Sequence, residues 1–386
     1  MTDAFIVQAA RTAGGKRNGA LAGVHPADLG ATILDALIDR SGVDPAAIED
    51  VVVGCVTQAG EQSFAFGRNM VLSSRLPTSV PAVTVDRQCG SSQQALHFAL
   101  QAVMSGTQDL VIAAGAESMT RVPMGSNFRL HAKAGIGEGP WSRRILERFG
   151  VDEFNQFVSA QAIADKYGFS RELMDEYALR SHRRAAQAIR TGAFKSEIVP
   201  VQLDGGIFDQ DEGVRADTSL EAMSLVKPIL EHGSVTAANA SQMTDGAAGI
   251  LVASEAAVRR FDLVPLARVC NITVTAGDPV LMLEEPIHAT RHALSRAGMS
   301  LDDIDLFEVN EAFASIPLAW LTALDVDPEK LNVYGGAIAL GHPLGATGAK
   351  LMTTLIHTLR SRGLRYGLQA MCEGGGTANV TIVEAV

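Results

Sequence analysis

The chain has 386 residues, 47% of them hydrophobic and 19% charged, with a formal net charge of -11. That length buries a large core and favours two or three domains, and the acidic balance excludes a nucleic-acid binder, whose phosphate contacts would show as a basic excess. Polar side chains interrupt every apolar stretch short of the roughly 18 residues of a membrane helix, and Met1-Thr2-Asp3-Ala4-Phe5 lacks a signal peptide's basic start, so a cytoplasmic protein with no membrane partner is expected.

In chain order the elements come twice. An apolar-periodic helix over Leu29 to Ile38 ends at a glycine cap and leads into Arg40-Ser41-Gly42-Val43-Asp44-Pro45-Ala46-Ala47-Ile48-Glu49-Asp50-Val51 and a strand. The extended run Val83-Thr84-Val85 passes through Cys89-Gly90-Ser91-Ser92 into a helix ending at Gly106. A buried strand returns over Asp109 to Gly115. From about Ser118 to Ala237 the rhythm breaks into a charge-richer stretch with its own helices, Ser159 to Tyr167 and Arg171 to Thr191, which reads as an insertion. Met243 to Ala253 is the strand that closes the first half.

The second pass begins with a helix over Ile287 to Ser295 and Arg296-Ala297-Gly298-Met299-Ser300-Leu301-Asp302-Asp303-Ile304-Asp305-Leu306, in which Gly298 and Ile304 repeat Gly42 and Ile48 at one offset. Leu306 to Val309 is a strand, and Leu331-Asn332-Val333 leads through a glycine-rich loop into a helix ending at Gly363. The strand Tyr366 to Cys372 returns. Strand, glycine turn, helix, strand means βαβ units, so the expected fold is α/β with two duplicated halves.

Four cysteines, Cys55, Cys89, Cys270 and Cys372, stand far apart with no CxxC pair, which argues against a metal site or a disulfide framework and for free thiols in a reducing compartment. Cys89 stands where an extended run meets a helix N-terminus, whose dipole end favours a thiolate, so its pKa is expected below the free value of ~8.5. His342, between Gly341 and Pro343, can continue neither helix nor strand and is aimed as a base for that thiol. Cys372 runs into Gly374-Gly375-Gly376, which is either a flexible turn or a set of amides for a developing negative charge. Asn310 ends a strand where open α/β sheets place ligands, with a helix N-cap as the competing reading.

Together Gln88-Cys89-Gly90-Ser91-Ser92, Asn310-Glu311-Ala312-Phe313, Gly335 through Gly348 and Cys372-Glu373-Gly374-Gly375-Gly376 resemble, in order and separation, the signature blocks of the thiolases; Arg11-Thr12, Asn239-Ala240-Ser241 and Asp245-Gly246-Ala247-Ala248 match as well. The resemblance implies duplicated βαβαβ halves in a layered α-β-α-β-α core. Residues 1-117, completed by 238-262, would form one half, 263-386 the other, and 118-237 a loop domain over coenzyme A. It implies an acyltransferase that cleaves a 3-oxoacyl-CoA through a Cys89 thioester, with His342 as base, Cys372 as the acid towards the acetyl-CoA enolate, and oxyanion sites from His342 with a water held by Asn310 and from the amides of Cys89 and Gly374. Arg215, Ser241 and Phe313 match substrate contacts. No cofactor is held permanently, coenzyme A and acyl-CoA are substrates, and a homodimer or homotetramer is implied.

Two departures from the family pattern, Asn155-Gln156-Phe157-Val158-Ser159 and Met282-Leu283-Glu284-Glu285-Pro286, border the expected acyl pocket and bring Phe157 and Met282 into the candidate set. They favour a degradative enzyme with a bulkier, branched or ring-derived chain over a biosynthetic acetyl-CoA acetyltransferase. Glu373, where an apolar residue commonly follows the cysteine, is a third. A non-catalytic lipid carrier would have lost the reactive residues that this chain keeps, and a ketosynthase would have a second histidine and a single cysteine.

Overall fold

The computed structural model describes residues 3–386; Met1 and Thr2, part of the N-terminal stretch read above for a signal peptide, lie outside the described residues. Helix Pro26–Ser41 shows how local sequence sets an element. The His25 ring accepts from the Ala27 amide at 3.2 Å, proline sits at the first turn, and Gly42 stops the helix at a φ of 70°. Strand Leu110–Ser118 is buried at all nine positions, as an apolar run covered on both faces must be.

The duplication is explicit in the sheet. In the first half the strands lie in the order Ala82–Val85, Asp50–Gly54, Leu110–Ser118, Thr244–Ser254, Ala4–Thr12, parallel for the first three and antiparallel thereafter. In the second half Leu306–Val309, Tyr366–Glu373, Thr377–Ala385 and Ala267–Ala276 repeat that order and those directions. A parallel bridge from Leu331 to Phe307 stands where the fifth strand would be. Leu331-Asn332-Val333 therefore does not form the expected strand. Asn332 turns to a φ of 46°, and its side-chain amide takes the place of a ladder partner, accepting from Val309 N at 2.9 Å and donating to Val309 O at 2.8 Å.

The offset that relates Gly42 to Gly298 also relates the starts of strands Asp50–Gly54 and Leu306–Val309, of helices Ser91–Met104 and Thr347–Arg362, and of strands Leu110–Ser118 and Tyr366–Glu373. Among the described residues the two halves join edge to edge through two antiparallel pairs, Phe5 with Arg268 and Ile6 with Ala267. Between the sheets lie the two helices of that list. Leu96, Leu100, Met352 and Leu355 share one apolar cluster with Val111 and Ile250 of the first sheet and Val269 and Val383 of the second. Helices Pro26–Ser41 and Phe66–Ser73 cover the outer face of the first sheet, and Glu285–Ala297 and Ser315–Leu324 that of the second, which gives five layers. Helices Gln156–Tyr167 and Arg171–Thr191 pack their apolar stripes into the second half's outer core. Among the described residues no helix is long and apolar enough to cross a membrane.

Candidate active site

The two central helices start where their sheets end, and the loops that enter them press together. A Cβ on Gly345 would stand 2.7 Å from Cys55 Cα and 2.7 Å from Gly54 O, and one on Gly54 would stand 2.5 Å from the Ser91 carbonyl carbon. Only bare backbone fits at this crossing, which brings the Cys89 and His342 loops within reach of one another.

Cys89 precedes helix Ser91–Met104 by two residues, after Gln88 at a φ of 46°. The turn is pinned by Ser91, whose hydroxyl donates to Gln88 O at 2.6 Å and accepts from Arg87 N at 3.0 Å. The residue is only 8% exposed. Burial, then the neighbouring Cys372 and Glu373, push the thiol well above its ordinary value. This overturns the expected depression: the dipole end of the helix is outweighed by desolvation and by acidic neighbours that helix geometry alone did not reveal. Burial and Glu373 likewise push Cys372 up to about 12, against a hydrogen bond from Asn310. Both sulfurs are therefore neutral thiols at rest.

His342 is the complementary partner. Its Nδ1 lies 2.6 Å from the Thr347 hydroxyl, and Thr347 donates its own proton to Pro343 O at 2.8 Å. The hydroxyl can then only accept from Nδ1–H, which leaves Nε2 bare. The Asn310 amide nitrogen stands 3.4 Å from Nε2. Burial and the charge of Lys350 push the imidazole down to about 3, so it is neutral at rest. Lys350 also ties this loop, its Nζ donating to Leu340 O and, at 3.2 Å, to Gly341 O. Asn310 is fully buried, and its Oδ1 has no partner among the described residues.

His342 opens onto a cavity of about 650 Å³. Met119 and Leu344 line it and share one small buried cluster with Cys89, which sets that thiol next to the cavity wall. Of the predicted contact residues, Arg215, Ser241, Phe313 and Phe157 line the same cavity, with the two phenylalanine rings edge-to-face at 5.6 Å. Met282 does not; it is 3% exposed in the second half's outer core. Gly374 sits in the turn after Cys372, where a Cβ would stand 3.1 Å from Gln88 Oε1. Neither its amide nor that of Cys89 donates to a protein acceptor among the described residues.

Sequence reasoning missed Thr347, Lys350 and Glu117. Glu117 accepts from the amides of Val56, Thr57 and Gly345, each at 2.9 Å, and so staples the His342 loop to the first half. A glutamate at the end of an apolar strand, in Ala114-Gly115-Ala116-Glu117, was the available signal.

Models of the thiolase N-terminal and C-terminal domains match residues 4–256 and 263–385. The chain belongs to the thiolase family. It is thus an acyltransferase built on the duplicated thiolase fold. Among curated relatives, the steroid 3-ketoacyl-CoA thiolase FadA6 of Mycobacterium tuberculosis is 51% identical, over 100% of this chain and 94% of its own length. A probable acetyl-CoA acetyltransferase of Escherichia coli is 40% identical over 100% of this chain and 99% of its own. A 3-ketoacyl-CoA thiolase of Bacillus subtilis is 39% identical over the full length of both.

Proposed function

We propose that this thiolase cleaves a 3-oxoacyl-CoA with coenzyme A, giving acetyl-CoA and a shortened acyl-CoA through a thioester on Cys89. The observation that carries the reading is a neutral thiol and an imidazole with a bare Nε2 gathered behind one cavity, with Asn310 and the second thiol of Cys372 beside them. Nε2 of His342 takes the Cys89 proton as the sulfur attacks the keto carbon, which suits a nucleophile that burial keeps neutral until attack. The amides of Cys89 and Gly374 supply donors for the oxyanion on the acyl group. As the carbon–carbon bond breaks, its electron pair stays with the acetyl unit as an enolate. Protonated His342 and Asn310 stabilise that enolate, and Cys372 gives its proton to the carbon. Coenzyme A then attacks the thioester, its thiol proton restoring Cys372, while the His342 proton returns to Cys89.

The coenzyme A arm is assigned to the cavity mouth beneath residues 118-237, with Arg215 and Ser241 as its contacts and the paired rings of Phe157 and Phe313 as a wall. A degradative role on a bulky, ring-derived acyl group is favoured by the steroid thiolase relative and by the apolar lining that Met119, Met124, Ile229 and Leu344 provide. A homo-oligomer is proposed through the sheet's terminal strand Ala82–Val85, which presents Val83 at 48% exposure.

Incubation with a 3-oxoacyl-CoA in the absence of coenzyme A, followed by intact-mass measurement, tests the chemistry. Wild type gains an acyl group, Cys89→Ala gains none, and Cys372→Ala gains one slowly. Equal acylation of wild type and Cys89→Ala would refute the assignment. A panel from acetoacetyl-CoA to long-chain and ring-bearing 3-oxoacyl-CoA then reads specificity, and preference for acetoacetyl-CoA alone replaces the degradative reading with the biosynthetic one.

A further inference from the structure

Behind the nucleophile turn lies a carboxyl that the reaction above does not use. Glu373 follows Cys372 on strand Tyr366–Glu373 and is fully buried. Strand alternation sends its side chain to the face opposite Cys372. There it lodges against Gly90, so closely that a Cβ on that glycine would overlap the carboxylate. One carboxylate oxygen accepts from the Thr377 hydroxyl at 2.6 Å, while Oε1 has no partner among the described residues.

Its counterpart in the other half shows how unusual this is. Glu117 occupies the same register and spends its oxygens on three backbone amides and the Gln62 side chain. One of those amides belongs to Gly345, whose own register mate is Cys89. Were the two halves alike, Glu373 would hold the Cys89 amide; it does not.

The groups that face Glu373 are Arg87 and Cys89 from the nucleophile turn, Cys372 from its own strand, and the uncharged Thr377 and Asn379 from the paired strand; Asp86 of the same turn acts on Cys89. Burial pushes its carboxyl up to about 8, against the Thr377 bond and Arg87. Near neutrality the group is an uncharged wedge under the turn. When it ionises, it sets a negative charge beside the two sulfurs and makes both harder to deprotonate.

We propose that Glu373 is a positioning residue for Cys89: lodged under Gly90 with one oxygen unpartnered, it governs the charge beside both thiols and so sets the upper end of the pH range in which Cys89 is acylated. This rests on the reading of Cys89 as the nucleophile. Losing its proton, Glu373 raises the proton affinity of the sulfur that must lose one to react, so acylation declines as pH rises past the Glu373 transition.

The test is alkylation of Cys89 by iodoacetamide across pH, located by peptide mass on the intact chain, alongside acylation by 3-oxoacyl-CoA. In Glu373→Gln, the Cys89 alkylation midpoint moves down by about one pH unit, so that above pH ~8 the variant reacts about tenfold faster than wild type, and the alkaline decline of acylation disappears. Thr377→Val removes the bond that favours ionised Glu373 and moves that decline to higher pH. Coincident alkylation midpoints in wild type and Glu373→Gln, or a decline that Thr377→Val leaves in place, overturn the role of Glu373 while leaving the thiolase reading intact. Absence of acylation on wild-type Cys89 overturns both.

Discussion

Superposing the two halves by their shared register sets small residues against reactive ones. Gly54 corresponds to Asn310, Ala116 to Cys372 and Gly345 to Cys89, and each pair occupies the same place at a strand end or helix entrance. The place where Gly54, Ala116 and Gly345 meet cannot carry the larger groups: a Cβ on Gly54 already meets the Ser91 backbone at 2.5 Å. Its glutamate, Glu117, is fully engaged in holding backbone, whereas Glu373 has an oxygen to spare. One side anchors, and the other keeps donors and thiols unspent for a substrate. The lesson is that reactivity in this fold comes from bonds that its own symmetry calls for and the chain withholds.

The sharpest way to break this comparison is to copy the first half into the second. Asn310→Gly installs the residue of the anchoring side and removes the amide beside His342; kcat for thiolysis is expected to fall on the order of 10²–10³-fold, with the thermal midpoint nearly unchanged. An activity loss below tenfold would mean that Asn310 is only a strand cap. Next, Glu117→Ala strips several amides of their acceptor and is expected to cost about 3 kcal/mol in a denaturant titration, against about 1 kcal/mol for Glu373→Ala. Equal costs would erase the contrast between the two carboxyls.

A smaller effect follows from the tautomer. Thr347→Val leaves Nδ1–H of His342 without its acceptor, favours the wrong proton position, and is expected to lower kcat/KM about tenfold while Cys89 alkylation persists. Last is a pH effect that contrasts a structural histidine with the proposed base. His97, in the first central helix, and His342 are both held neutral by burial, at about 3 each. Their folded pKa lies below the ordinary unfolded value, so the unfolded chain binds protons that the folded one does not. Stability is full above pH ~6.5 and is lost as pH falls towards 3. His97→Gln should recover about 2 kcal/mol at pH 5 relative to its cost at pH 8, measured by thermal melts at both values; parallel pH curves would show that His97 titrates freely.

Much of the site was legible because its chemistry is written locally. Cys89 and His342 stand in glycine-rich turns that no regular element would use, Asn310 ends a buried strand, and the helix starts and caps of both halves fall where glycine and periodicity put them. What sequence could not supply is what crosses between halves. The protonation of Cys89 depends on Cys372 and Glu373 from the far half, and the staple from Glu117 to Gly345 spans the same gap. Thr347 and Lys350 are visible as residues, but their roles depend on how a loop folds back on its own helix. Leu331 to Val333 misled because apolar content was read without the positive φ that Asn332 adopts. Met282 was placed by proximity to the expected pocket, while packing turned it inward.

Among the described residues the seam between the sheets is two residue pairs long, so strand hydrogen bonds do little to fix one half against the other. That alignment falls to the helix crossing at Gly348, where a Cβ would stand 2.7 Å from that of Gln93. Sulfur and imidazole ride on opposite sides of this joint, which makes the reach between them a matter of a single methyl's thickness. A chain lengthened there would keep its architecture and lose its timing, in the way a pair of scissors fails when a washer is slipped under the pivot.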